Sequence, residues 1–193
     1  MLAALLARVF FWLWFACALA AGHLLLLQRV PAATLPALAA ALAAFLALIA
    51  LRIGVVRTWV NALDLRLLVL VHLTRFTGLY FLDLGSEGVL GRSFAVPTGI
   101  VDLVVATMAL PLVFAPLEES ARRRATTIWN IVGLAGLLFA LGSALRLSFT
   151  EPVQLRMMTI LPLSLWPTFL APLLLGSHIA IFARLAGDRS VAE

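Results

Sequence analysis

Residues 35–51 read LPALAAALAAFLALIAL, a stretch that contains no ionisable side chain. As an α-helix it would be about 25 Å long, because each residue adds about 1.5 Å along the axis. A helix that is apolar on every side is typical of a membrane span or of a completely buried element. The stretch therefore predicts a helix that packs against other helices or faces lipid, with Arg52 and Arg57 at its boundary.

The rest of the chain has the same character as this stretch. Of its 193 residues, 64% are hydrophobic and 12% are charged, and the mean hydropathy is +1.11. Soluble domains are about 45–50% apolar and about 25% charged. Since so apolar a chain could not cover its own surface in water, its solvent must be the lipid bilayer. We expect an all-α, polytopic transmembrane helical bundle.

The apolar runs divide the chain into six predicted spans, which we number 1 to 6. No stretch is long and polar enough for a second, soluble domain, so residues 1–193 are expected to form one integral membrane domain. A retained first span is preferred to a cleaved signal peptide, because its apolar run is longer than a signal peptide requires. The predicted spans cover about residues 2–27, 35–51, 62–82, 98–116, 127–145 and 157–183.

The basic residues indicate how the spans are oriented. All 14 are arginine, and with six spans and a cytoplasmic N-terminus nine of them lie inside, four lie outside and Arg75 lies within the membrane. This excess agrees with the positive-inside rule and places both termini in the cytoplasm. Because the arginines are scattered between apolar runs, they do not predict a nucleic-acid site. The inside set is Arg8, Arg52, Arg57, Arg66, Arg122, Arg123, Arg124, Arg184 and Arg189.

Span 3 is the most polar of the six. On an α-helix, His72 and Arg75 would lie one turn apart near the membrane midplane, on a face shared with Leu68 and Leu79 and reaching Asp64 and Asp83 at the two boundaries. Ionisable groups at this depth need partners or a wet cavity. The sequence therefore predicts a polar stripe along one face of span 3.

Asp102 is the only acid within span 4, and it lies at the same depth as Arg75. We therefore predict an ion pair between these two side chains. The pair could form a charged gate or a substrate-binding site, or it could only fix the rotation of the two helices. Asn130 in span 5 could donate a hydrogen bond to a neighbouring helix.

The histidines suggest a proton site more readily than a metal site. Free imidazole titrates near about pH 6.5, so His72 could carry a proton or could be a neutral hydrogen-bond donor. Counting about 1.5 Å per residue along the predicted spans places His72 and His178 about 12 Å apart along the membrane normal, with His23 near the outer boundary. Ligands of one metal must converge at one depth. Cys17 is the only cysteine, and we expect no metal and no cofactor.

Two further patterns concern helix shape. Pro162, Pro167 and Pro172 interrupt span 6, and each removes one backbone donor. Such breaks can form ion sites in transporters, but proline is also common in ordinary membrane helices. Span 5 carries a row of small residues that favours close helix packing; they are Gly133, Gly136, Ala140 and Ser143.

Two segments resemble a group of uncharacterised bacterial integral membrane proteins. The segment 72–82, HLTRFTGLYFL, contains the R-x-x-G-x-x-F-L pattern of that group, and the segment 94–102, FAVPTGIVD, contains its F-A-x-P-x-G-x-x-D pattern. The resemblance covers the second to sixth spans and implies a bacterial inner membrane location, with a shared site at the ends of spans 3 and 4. Gly136 stands where the pattern would have an acidic residue.

Three functions fit these observations. The first is a small-solute or proton-linked transporter or binding protein, whose site lies between spans 3, 4 and 6. The second is a structural or assembly partner in the membrane. The third is an intramembrane enzyme that modifies lipids, so enzymatic activity stays open. The candidate site residues are His72, Arg75, Asp102 and Asn130, and the expected partners are the lipid bilayer and a small solute.

Overall fold

The computed structural model describes residues 2–187, and it contains no β-strand in that range. Short 3₁₀ segments at Leu26–Arg29, Val71–Thr77 and Pro152–Thr159 and a π-helical turn at Trp166–Leu170 connect or extend the α-helices. The α-helices are α1 (Leu2–His23), α2 (Thr34–Arg52), α3 (Gly54–Ala62), α4 (Leu65–Leu70), α5 (Gly78–Ser86), α6 (Arg92–Phe114), α7 (Glu119–Thr150) and α8 (Ala171–Gly187).

Six helical stretches in the described residues are long and apolar enough to cross a membrane, which confirms the predicted all-α bundle of about six spans. Their outer faces carry large apolar side chains, such as Trp12, Phe114 and Phe149, that are more than half exposed. Such surfaces are stable in lipid and not in water. The six stretches are Leu5–His23, Thr34–Arg52, Leu65–Ser86, Arg92–Phe114, Glu119–Thr150 and Trp166–Ala186.

The connection between spans 3 and 4 is shorter than the sequence predicts. Residues 83–97 are expected to form a loop, but α5 continues to Ser86 and α6 begins at Arg92. Gly88 has a φ of 72° and ends α5, because Val89 N–H donates to the Leu84 carbonyl and Gly88 N–H to the Gly85 carbonyl. This Schellman arrangement requires a residue that tolerates a positive φ, which glycine does.

Span 6 begins later than predicted. Residues 152–159 form a 3₁₀ helix, and the continuous helical stretch starts at Trp166 instead of at residue 157. Pro162 and Pro167 lack the backbone donor that an uninterrupted helix would need across this region. Span 5 is longer than predicted and runs from Glu119 to Thr150. Both changes alter the depth assigned to residues on these two spans.

Span 3 buries every third residue instead of following an α-helical face. Residues 71–77 form a 3₁₀ helix, in which side chains three positions apart are aligned. The predicted stripe is therefore wrong in part: Leu79 is 60% exposed, and Asp64 and Asp83 are also exposed. The buried series is Val69, His72, Arg75, Gly78, Phe81 and Leu84.

Glycines allow spans 3, 4 and 5 to approach closely around this buried series. A Cβ added to Gly78 would lie 2.6 Å from the carbonyl oxygen of Gly99 and 3.0 Å from the Cβ of Asp102. On α7, a Cβ at Gly133 would lie 2.5 Å from the His178 ring, and one at Gly136 would lie 3.3 Å from the Arg75 guanidinium. The predicted small-residue row on span 5 thus makes room for two polar side chains as well as for packing.

Candidate functional site

Six polar side chains from four spans meet inside the bundle, and we call this group the polar centre. The 3₁₀ part of span 3 supplies two of them, α6 and α7 supply one each, and α8 supplies two. All are at most 7% exposed, in a region where an unpaired polar group is costly. The polar centre consists of His72, Arg75, Asp102, Asn130, Ser177 and His178.

The predicted ion pair between Arg75 and Asp102 is present. Arg75 Nε donates to Asp102 Oδ1 over 2.7 Å, and Arg75 Nη2 lies 2.7 Å from the same oxygen. Arg75 Nη1 donates to the carbonyl of Gly133 over 3.0 Å. Asp102 Oδ2 is buried and has no hydrogen-bond partner. The guanidinium is thus shared between spans 3, 4 and 5, while the carboxylate keeps one oxygen available.

His72 is held in one tautomer by Ser177. The Ser177 hydroxyl donates to the Leu174 carbonyl over 2.8 Å, so its single proton is already used. The 2.7 Å contact between Ser177 Oγ and His72 Nε2 therefore has the imidazole as the donor. His72 Nδ1 is then a bare acceptor, and it has no hydrogen-bond partner.

Asn130 fixes His178 in the opposite tautomer. Its side-chain amide donates from Nδ2 to the backbone carbonyl of His178 over 3.0 Å, which leaves Asn130 Oδ1 as an acceptor. The 2.6 Å contact between Oδ1 and His178 Nδ1 therefore has the histidine as the donor. His178 Nε2 is bare and has no partner. The predicted interhelical hydrogen bond of Asn130 is thus confirmed.

The two imidazole rings lie together, which contradicts the predicted separation of about 12 Å in depth. Their centroids are 4.2 Å apart, and the Trp129 ring packs against both at 4.9 Å and 5.6 Å. The prediction was wrong because it counted residues from a span 6 that began at position 157. With the helical stretch at Trp166–Ala186, His178 lies near its middle.

Trp129 is also deeper than the sequence indicates. A tryptophan at the start of the predicted span 5 would lie at the membrane interface. Because α7 begins at Glu119, Trp129 instead lies three turns inside the helix and is 1% exposed. Its indole N–H donates to the carbonyl of Val105 over 2.9 Å. It therefore forms an apolar wall beside the histidine pair.

Sequence reasoning identified His72, Arg75, Asp102 and Asn130 but missed Ser177, His178 and Trp129. The missed residues lie on the two spans whose starting points were misplaced. A polar Ser177–His178 pair inside an apolar run was the signal available, and a span 6 measured from Pro167 would have placed it near the midplane. His23 is exposed and lies outside the polar centre.

The donor set of the polar centre is small for a metal. No group of three or more His, Cys, Asp or Glu residues in the range 2–187 is placed to hold a metal ion. Two imidazoles ligating opposite sides of a haem iron, at about 2 Å each, would also have their ring centres about 6 Å apart. The centroids here are 4.2 Å apart. The side chains of the polar centre offer groups that can bind protons and form hydrogen bonds.

Comparison with known proteins gives a family but no activity. The sequence model of a family described as "Domain of unknown function (DUF8737)" matches residues 33–186, about four fifths of the chain. That range includes every residue of the polar centre and leaves span 1 outside. No curated protein and no solved structure matches the chain.

Proposed function

Since the chain belongs to the DUF8737 family, whose description gives no activity, we propose a function from the polar centre alone. We infer that the protein is a proton-linked transporter or binding protein for a small solute. The observation that carries this proposal is the adjacent pair of imidazoles, each with one unpartnered nitrogen, beside a buried ion pair.

A proton is the smallest ligand that this site can accept. His72 Nδ1 and His178 Nε2 are both bare acceptors, and the hydrogen bonds from Ser177 and Asn130 hold the rings in those tautomers. Imidazole is the side chain whose proton exchanges most readily near neutral pH. Ionisable residues inside a membrane bundle support the hypothesis of a functional site.

The charges of the polar centre link proton binding to a conformational change. Arg75 and Asp102 neutralise each other, so the closed centre carries no net charge. One added proton on either imidazole makes it positive, and a buried, uncompensated charge is costly. Proton binding therefore favours a state in which the centre meets water or a negatively charged solute.

Proton flux in proteoliposomes tests this proposal. Vesicles that contain a pH-sensitive dye and the wild-type protein should dissipate an imposed pH gradient faster than empty vesicles. His72→Gln, His178→Gln and Asp102→Asn should each reduce this flux towards the empty-vesicle rate, because each removes an acceptor or the counter-charge. Arg146→Gln, at an exposed position on α7, is the matched control. A flux above the empty-vesicle rate that is unchanged in all three variants overturns the polar centre as the proton site, and a wild-type rate equal to that of empty vesicles overturns proton transport in the absence of a solute.

A structural role in a membrane assembly is the second candidate. The observation in its favour is that every member of the polar centre is at most 7% exposed. The same burial gives no support to a lipid-modifying enzyme, which would need an opening between the polar centre and the bilayer. If the role is structural, the three variants should lower stability without changing any flux.

We also propose the setting of the protein: a multi-pass protein of a bacterial inner membrane, with both termini in the cytoplasm. The arginine distribution supports this orientation, although Arg189, which was counted inside, lies outside the described residues. Reporter fusions at each terminus test it, because alkaline phosphatase is active outside and green fluorescent protein fluoresces inside. Active phosphatase at either end would contradict the orientation.

A further inference from the structure

We propose that a second site, at one end of the bundle, binds a small amphiphile with an anionic head group. The site is a cavity of about 500 Å³ between the connection from span 1 to span 2 and the 3₁₀ segment Pro152–Thr159. We call it the loop cavity. Its volume lies within the range of small-molecule sites, about 300–1,000 Å³. This inference goes beyond the proposed function and does not depend on it.

The charge of the loop cavity selects the head group. Arg156 is the only charged residue in its lining, and Gln28 and Thr159 are its polar neighbours there. Arg156 is exposed, and no carboxylate in the range 2–187 forms an ion pair with it. The nearby Glu151 accepts a hydrogen bond from Gln154 instead. A guanidinium binds phosphate and carboxylate groups through two parallel hydrogen bonds, so the ligand should be an anion.

The other residues that line the loop cavity favour a ligand with an apolar tail. Leu27, Val30 and Ile160 line the loop cavity beside Arg156, so a hydrophilic anion would leave this surface unused. A second, smaller cavity of about 40 Å³ shares Leu35 and Leu155 with it and has only apolar and aromatic residues in its lining. The two cavities are therefore neighbours, with polar side chains in the lining of the larger one and only apolar side chains around the smaller one. An alkyl or prenyl chain attached to a phosphate or carboxylate fits this arrangement.

Binding of three probes separates the parts of this proposal. Dodecyl phosphate carries both head and tail, inorganic phosphate carries the head alone, and dodecanol carries the tail alone. Full-length protein in non-ionic detergent, analysed by native mass spectrometry, should bind one dodecyl phosphate saturably. Both partial probes should bind at least about tenfold more weakly, because each gives up one of the two contributions.

Variants then locate the site. Arg156→Gln should weaken dodecyl phosphate binding by about twofold to fivefold, since it removes one exposed charge pair. Ala32→Trp, in the cavity lining, should weaken it at least as much by filling the space. The controls are Arg146→Gln and Ala37→Trp, at exposed positions outside the lining, and neither should change the affinity.

Several results would overturn the loop cavity as a ligand site. They are the absence of saturable binding, equal losses in Arg156→Gln and Arg146→Gln, and an unchanged affinity in Ala32→Trp. Equal binding of dodecanol and dodecyl phosphate would overturn the anionic head group. None of these measurements involves the polar centre, so proton flux can fail while this site stands, and the reverse is also true.

Discussion

Two buried arginines in this chain have different kinds of partner. Arg75 lies in the polar centre, where it pairs with the carboxylate of Asp102. Arg122, near the start of α7, donates instead to backbone carbonyls at the end of α6, namely those of Leu112 and Ala115. The first arrangement depends on one other charge, whereas the second uses groups that every helix end leaves without a partner.

The Arg122 arrangement is repeated at the same end of the bundle. Arg123 donates to the carbonyl of Leu185 on α8, and Arg184 donates to the carbonyl of Leu63, which follows α3. A cation at a helix C-terminus also interacts favourably with the helix dipole. These arginines therefore serve as helix caps in addition to contributing to the charge bias. Charged side chains therefore have two roles in this protein. At the helix ends, arginines link neighbouring helices through backbone carbonyls. In the polar centre, two buried opposite charges must neutralise each other.

The largest effect should come from removing one charge of the Arg75–Asp102 ion pair. Asp102→Ala leaves the Arg75 guanidinium buried without its counter-ion, which should cost about 3–5 kcal/mol in the free energy of unfolding. The measurement is equilibrium unfolding in mixed micelles. The double variant Arg75→Met with Asp102→Ala should recover much of the loss, because no charge then stays buried. A double variant as unstable as Asp102→Ala would show that the pair stabilises through shape instead of charge.

A steric change next to the polar centre should have the next largest effect. Gly133→Ala would put a methyl group against the His178 ring, and overpacking of this kind costs about 1–3 kcal/mol. Gly142→Ala is the matched control on the same helix, because an added Cβ there meets nothing within 4 Å. Unfolding measurements should separate the two variants. Similar stability in both would mean that the histidine pair is loosely packed.

Removing a helix cap should lower the free energy of unfolding by less than removing one charge of the Arg75–Asp102 ion pair. Arg122→Ala leaves the carbonyls of Leu112 and Ala115 without their donor, and we expect a loss of about 1–2 kcal/mol in unfolding free energy. Hydrogen exchange should increase locally at the end of α6 and at the start of α7, and proton flux should stay at the wild-type rate. If Arg122→Ala cost more than Asp102→Ala, the distinction between the two arginines would fail.

The smallest effect tests a single neutral hydrogen bond in the polar centre. Ser177→Ala removes the acceptor of His72 Nε2, and such bonds in membrane bundles contribute about 0.6 kcal/mol on average. The tautomer should be the more sensitive readout, because His72 loses the group that fixes its proton on Nε2. Nitrogen chemical shifts of ¹⁵N-labelled histidine can report this, with only three histidines in the chain. Shifts identical to wild type would show that Ser177 does not set the tautomer.

The sequence allowed the bundle and four of the six residues of the polar centre to be predicted, for physical reasons that can be named. Apolar runs identify spans directly, and the depths of Arg75 and Asp102 could be compared because both lie on the neighbouring spans 3 and 4. His178 could not be placed in the same way. Its depth depends on where a proline-rich segment becomes helical, and backbone donors lost at Pro162 and Pro167 do not specify that point.

The burial pattern of span 3 escaped prediction for a different reason. Composition does not distinguish a 3₁₀ segment from an α-helix, so the expected face was drawn with 3.6 residues per turn. His72 and Arg75 are three positions apart and fall on the buried side under either geometry. Leu79, four positions beyond Arg75, does so only in an α-helix, and it is exposed here.

The 3₁₀ winding of residues 71–77 links the length of span 3 to the rotation of α5 relative to α4. A 3₁₀ helix advances about 2.0 Å and turns about 120° per residue, against about 1.5 Å and about 100° in an α-helix. Rewinding these seven residues into an α-helix would shorten the span by about 3.5 Å and rotate α5 by about 140° relative to α4. Gly78 would then turn away from Gly99, and Arg75 would be carried out of register with Asp102. A change of pitch in these residues would thus break the contacts that Gly78 and Arg75 make with spans 4 and 5.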